Sequence, residues 1–235
     1  MINDTSRPLI LVGSNVMVWY IHEVLTEKIG YTVKGIVDDD YHGQGHYQDI
    51  PIIAREEQLS DSEWKQYQYL CITNWQPIEM IEPCHARNKD KRQRLIDLLE
   101  NNNLDVATVV HPGASVTKYK TTLGKGVYID VGAFVGPNIQ INDFTTIWAY
   151  GGIAHDCVIG RNCVMQRYTS LFGDNVMEDN VYMGQGSRVP RDRIILRSGT
   201  FIHPEMKVMR STAKNEVISL VGQDLRKVFH RPMVE

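Results

Sequence analysis

The residues best suited to acid–base chemistry are His155 and Asp156, which interrupt a long, largely apolar periodic segment. His155 is the single histidine between residues 121 and 197, although the chain holds eight. An imidazole changes charge near neutral pH, so it suits a base that takes a proton from an attacking amine or hydroxyl. The carboxylate beside it has two readings. It orients the ring and raises its basicity, or it is a solvated turn residue.

A second group lies near the start. Gly13-Ser14-Asn15 follows the apolar run LILV (9–12), and a glycine loop after a strand leaves backbone N–H groups for a phosphate. Asp38 and Asp39 close the run TVKGIV (32–37), where they are placed to bond a ribose or base; strand-end acids are also common in any α/β sheet. Cys71, Cys84, Cys157 and Cys163 form neither a disulfide framework nor a metal pair, and read as reduced thiols. His111, His155 and His203 are too dispersed to supply the close histidine pair of a zinc site, so no metal is expected.

Two kinds of element must position these groups. Counting in sixes from Leu123, thirteen consecutive sites are aliphatic or Met: Ile129, Val135, Ile141 and onward to Met183, Val189 and Ile195. Residues two before the anchors are mostly small or β-branched, such as Ala133, Thr145, Cys157, Thr169 and Ser187. Gly follows the anchor at Gly124, Gly136, Gly160 and Gly184. This is the hexapeptide signature of a left-handed parallel β-helix. Three six-residue faces close a triangular coil of about eighteen residues, whose anchors stack into one apolar column. The register slips by one between Val116 and Leu123, which predicts a bulge or loop over 118–122. His155, two positions after anchor Ile153, then falls at a corner or points outward. Gly173 lies eighteen residues later, one coil along the same corner.

The first half alternates instead. Runs 9–12, 32–37 and 69–73 read as strands. VMVWYIHEVLTEKIG (16–30) reads as a helix closed by Gly30, and KDKRQRLIDLLENNN (89–103) as a helix capped by asparagines. That pattern predicts a small, parallel, Rossmann-like α/β sheet. The expected division is 1–106 for this domain and 107–235 for the β-helix, with EVISLVGQDLRKVF (216–229) as a helical cap.

The bulk properties bound the function. With 25 basic and 28 acidic side chains the net charge is −3, which argues against nucleic-acid binding. No apolar run approaches the ~20 residues that span a bilayer. MINDTSRP carries no signal pattern, so a cytoplasmic protein without membrane insertion is expected.

The order of parts resembles the bacterial sialic-acid-O-acetyltransferase-like family, whose best-known members are nucleotide-sugar N-acetyltransferases. The residues that carry the likeness are GIVDDD (35–40), Asn88 with Arg92, VVHPGASV (109–116) and AHDCVIGRN (154–162). The resemblance implies a homotrimer with acetyl-CoA bound between adjacent β-helices. It implies direct attack of the substrate on the thioester, with His155 as base and Asp156 as its helper. It further implies Gly13, Ser14, Asn15, Asp38 and Asp39 at the nucleotide-linked amino sugar, and Gly173, Gly184 and Gln185 along the coenzyme. Gly173 is taken to leave room for the pantetheine arm, and both glycines also fit corners with positive φ. Asp156, read as a strand neighbour of His155, is expected to face another subunit's histidine.

Several positions depart from the family. Its first-loop glycines and His are Val16, Met17 and Val18 here, a second His is Val164, and an Asn is Trp148. Trp148 and Tyr150 are expected to form an aromatic wall for a sugar ring, or to pack between subunits. FIHPEMKVMRSTAKN (201–215) replaces the usual carboxy-terminal segment and is expected to be a coenzyme lid or oligomer contact. Arg167, Arg188, Arg191 and Arg193 either meet coenzyme phosphates or lie in solvent. Two alternatives remain at this stage: O-acetylation of a sugar hydroxyl, and a non-catalytic trimeric β-helix scaffold.

Overall fold

In a computed structural model, residues 3–73 and 84–219 are described, with 84–90 by backbone alone. The chain divides into two compact units, 1–112 and 113–235.

The first unit is built on β1 (Leu9–Val12), β2 (Val33–Val37), β3 (His46–Tyr47), β4 (Ile50–Ala54), β5 (Gln68–Cys71) and β6 (Asp105–Val106). Their order in the sheet is β3-β4-β2-β1-β5-β6, parallel throughout except for the β3–β4 pair. All four residues of β1 are fully buried, as expected of a central parallel strand covered on both faces. Strand β4 was not anticipated: Pro51 lies inside it, and proline is confined to edges and interruptions of a ladder. Helix α1 (Val18–Glu23) widens into π-type winding over Val24–Ile29, and Gly30 closes it with φ 94°. Helix α2 (Cys84–Asn101) starts earlier than the expected 89 and buries Leu95, Ile96 and Leu99. Asn103 ends it with φ 49°, a conformation asparagine tolerates better than most residues.

The second unit is the expected left-handed β-helix. Two-residue strands recur every six residues and stack on partners eighteen residues away, as in Gln140↔Val158 and Thr146↔Val164. The anchors from Ile129 to Val189 are almost completely shielded from solvent. The positions two before them form a second inner column, and its polar members satisfy corner carbonyls. Thr145 Oγ1 donates to Gly160 O at 2.8 Å, and the Cys163 thiol donates to Glu178 O at 3.0 Å. Each corner is turned by one residue in the left-handed region, at Asn138, Phe144, Tyr150, Asp156, Asn162, Tyr168, Asp174 and Asn180. Left-handed backbone is costly for residues with a Cβ, so the ladders of the closed coil must hold these corners in place.

One expectation fails at the far end. The anchor after Val189 is Leu196, fully buried, rather than the half-buried Ile195. One extra residue enters the coil, so the left-handed corners step from Gly186 to Arg193, and Met177 pairs with Leu196. Segment 201–215 is built into the stack of coils. Phe201–Ile202 continue one face, Lys207 bridges to Arg188, and Thr212 N donates to Ile195 O at 3.0 Å, before Val217–Ile218 rejoin the first face. It is one more coil, shortened to sixteen residues between Phe201 and Val217. The predicted cap begins with strand Val217–Ile218, and its remainder from 220 lies outside the described residues.

Candidate active site

His155 sits immediately before the left-handed corner residue Asp156, φ 56°. The turn swings the carboxylate back, so Asp156 meets its own chain's imidazole rather than facing away: His155 Nδ1 lies 2.7 Å from Asp156 Oδ2. The other oxygen, Oδ1, accepts from the side-chain amide of Asn138, eighteen residues earlier. The hydrogen bond from Asn138, and then that from His155, hold the Asp156 carboxyl below its ordinary value. Asp156 is therefore an acceptor only, and the imidazole must carry its proton on Nδ1. In the neutral ring Nε2 keeps its lone pair, as a base requires.

Gly173 occupies the equivalent place one coil on. A Cβ there would meet His155 Cε1 at 2.5 Å and Nε2 at 2.7 Å. The space a side chain would take is thus filled by the imidazole, and Gly173 sets where the ring can lie. Neither Gly173 nor Gly184 has positive φ, contrary to the corner reading. A Cβ on Gly184 would strike the next coil's backbone, at 2.5 Å from Pro204 N. Gln185 is exposed, and its carbonyl accepts from Glu205 N at 2.8 Å.

Asp174 is the next corner residue, and one imidazole nitrogen of His155 and one carboxylate oxygen each of Asp156 and Asp174 lie within 4.8 Å of one another. Arg191 Nε donates to Asp174 Oδ2 at 2.6 Å, which adds a cation beside the two carboxylates. Of the predicted aromatic wall, Trp148 is buried against Tyr128, with centroids 5.7 Å apart, and cannot face a sugar. Tyr150 is exposed and stacks on Tyr168 at 5.3 Å. The thiols of Cys157 and Cys163 are buried, and burial pushes them up to about 11 and about 12, so neither is a ready nucleophile.

In the first unit the predicted residues are already engaged. Gly13 takes φ 80°, and a Cβ there would lie 1.8 Å from Thr73 Oγ1. Ser14 is half-buried beside it. Asn15 is buried; its Nδ2 donates to Ile72 O at 2.9 Å and its Oδ1 accepts from Met17 N at 2.8 Å. The turn this forms places Val16, more than half exposed, outside the helix it was assigned to. Asp38 is not the open strand-end acid expected: it is fully buried, and both oxygens accept from Lys91 Nζ at 2.8 Å. Asp39 is exposed, but its Oδ1 accepts from Glu56 N at 2.9 Å. Glu56 in turn is held by Arg94. Burial pushes the Lys91 amine down, and its bonds to Asp38 and Asp40 outweigh that and raise it. Arg92, also buried, donates to Thr73 O, while the Asn88 side chain lies outside the described residues. Glu56, Gln93, Arg94, Asp97, Leu98 and Asn101 line an open groove of about 460 Å³ that includes none of the predicted residues.

The structure thus assembles His155, Asp156 and Gly173 in one place and Gly13 to Asn15 in another. Reading from residue types missed Asn138, Asp174, Lys91 and Glu56. The eighteen-residue period pointed to the first two, and nothing local pointed to the others.

No protein-family model matches the chain. Over 116 residues it is 29% identical to GDP-perosamine N-acetyltransferase of Escherichia coli O157:H7, a match covering 48% of this chain and 52% of that protein. Over 108 residues it is 29% identical to UDP-3-O-acylglucosamine N-acyltransferase of Caulobacter sp. (strain K31), covering 44% of this chain and 30% of that protein. The chain therefore spans about half the length of the first of these curated relatives and less than a third of the second. Among solved structures it is similar to PerB of Caulobacter crescentus in complex with CoA and GDP-perosamine, at TM-score 0.73 and 20% identity over 91% of this chain and 92% of that one. It is also similar to the acetyltransferase domain of PglB from Neisseria gonorrhoeae, at TM-score 0.74 and 17% identity over 90% and 96% of the two chains. Both likenesses are of fold, and each extends over about nine-tenths of this chain.

Proposed function

We propose that this chain moves an acetyl group from acetyl-CoA to the amino group of a nucleotide-linked amino sugar, with His155 as the base. The observation that carries the reading is the pairing of His155 Nδ1 with Asp156, which leaves Nε2 at a partly exposed corner to receive a proton. That the similar chains include a GDP-perosamine N-acetyltransferase, and a structure holding CoA with GDP-perosamine, favours an amino sugar as acceptor. No covalent enzyme intermediate is needed: the amine attacks the thioester while His155 takes its proton and Asp156 stabilises the imidazolium. Loss of the thiolate completes the transfer, and backbone N–H groups are suited to stabilising the developing oxyanion.

The fit to acetyl-CoA rests on this chain's own geometry. Gly173 lets the imidazole lie against the next coil's backbone, so a slender chain running along the corner meets the base rather than a side chain at that position. Gly184 and Gln185, two faces further along the chain, are assigned to the same coenzyme. Gly13, Ser14 and Asn15 are assigned to the nucleotide part through their backbone N–H groups, with Asp39 the more accessible of the two acids. Asp38 is assigned to holding the loop through Lys91. A homotrimer is part of the same reading.

The test is isothermal titration with acetyl-CoA, then with a panel of UDP-, GDP- and dTDP-linked amino sugars, followed by turnover. Saturable binding of both and release of CoA support the proposal. Binding of neither overturns it and leaves a β-helix scaffold.

A further inference from the structure

We propose that Asn138 is a positioning residue for His155, acting through Asp156. Its kinetic consequence rests on the transferase reading above; its structural consequence does not. Asn138 and Asp156 hold equivalent corners in successive coils, both with φ 56°, so the period of the β-helix stacks their side chains. The Asn138 amide takes Asp156 Oδ1, and that leaves Oδ2 for the imidazole at 2.7 Å.

An exposed carboxylate needs such a hold. Asp156 is about half exposed at its side chain (47%) and His155 is 39% exposed, and pairs of this kind are weak and readily hydrated. A competing acceptor also lies at hand, because Asp174 brings a second carboxylate within 4.8 Å. The corner solves this with a donor at each end. Asn138 holds Asp156 from the preceding coil, and Arg191 holds Asp174 from the following one. The charged groups set around the ring are thus Asp156, Asp174 and, through Asp174, Arg191. With both carboxylates held, Asp156 keeps its place against Nδ1 and the lone pair stays on Nε2.

Replacement by alanine would mix this effect with backbone strain, since the position is left-handed. Glycine tolerates that backbone and removes only the amide. In Asn138→Gly the neutral His155 ring, followed by nitrogen-15 NMR of the imidazole, is expected to change from the Nδ1–H tautomer to a mixture with Nε2–H. The turnover number is expected to fall about five- to twentyfold, a part of what a general base contributes, with KM for both substrates held within about twofold. Asn138→Asp keeps the size but replaces the donor by an acceptor, and is expected to show the same tautomer change. An unchanged tautomer in both variants overturns the proposal, even if activity falls. If the wild-type protein transfers no acetyl group, the proposed function fails, and the tautomer still decides the role of Asn138.

Discussion

The two units handle buried and exposed charge in opposite ways. In the first, Asp38 and Glu56 are almost wholly removed from water and are held by Lys91 and Arg94, residues 53 and 38 positions away in sequence. In the second, His155, Asp156 and Asp174 remain partly exposed and draw partners from the same corner one coil before or after. The first arrangement fixes a loop at the cost of occupying its charges. The second engages the imidazole through Nδ1 and leaves Nε2 uncommitted. Charged residues at the end of a strand can thus be consumed by the fold itself, whereas a repeating corner leaves its side chains partly open to solvent.

The largest expected effect tests that contrast directly. His155→Ala should lower the turnover number by about 10²- to 10⁴-fold, the usual share of a general base, while the unfolding midpoint stays unchanged. Steady-state release of CoA measures the first and thermal denaturation the second. Lys91→Met should reverse the pattern. It leaves a buried carboxylate at Asp38 without its cation, which costs about 3–5 kcal/mol on denaturant unfolding. Survival of the first unit at wild-type stability would mean that the pair is incidental.

A smaller loss is expected from Gly173→Ala. Its methyl group would displace the imidazole, so turnover should fall about tenfold with the fold retained, the sensitivity expected of a reacting group moved by a fraction of an ångström. Full activity in that variant would show that the ring has another place to lie. The smallest effect concerns pH. Because Asp156 is held below its ordinary 3.8, its charge is present above that value and is lost only as pH falls through the lowered one. The pH–rate profile should accordingly show no loss of activity from Asp156 at pH 4 to 5. Asn138→Gly removes the largest cause of that shift, so a limb belonging to Asp156 should move upward in the variant.

The β-helix was legible because each residue depends on neighbours at a fixed separation. A single period supplied the anchors, the inner column and the corner that holds His155. The same dependence hid what breaks the period: Ile195 looked like an anchor because its type is right, and only the extra residue before it shows that Leu196 fills the column. The coil over 201–218 was missed because it is short by two residues and its anchors are irregular. In the first unit, strands β1, β2 and β5 were legible as apolar runs. The closure of Asp38 by Lys91 was not, since nothing in a strand–loop pattern identifies which distant lysine on a helix will return to it. The role of Gly173 was half legible. Its spacing from His155 placed it, but packing decides that the ring itself takes the vacant space.

The seven-residue step from Gly186 to Arg193 has a further consequence, for how such a chain can change. An insertion within a strand of a flat sheet would turn every later side chain to the wrong face. Here one added residue is absorbed at a corner, Leu196 recovers the column, and the faces beyond resume their pairing. Corners are thus places where length can drift without unravelling the stack. At this one, Arg191 lies two residues before the corner and donates to Asp174, beside His155, so a gain or loss of one residue there would alter the surroundings of the imidazole as a substitution would.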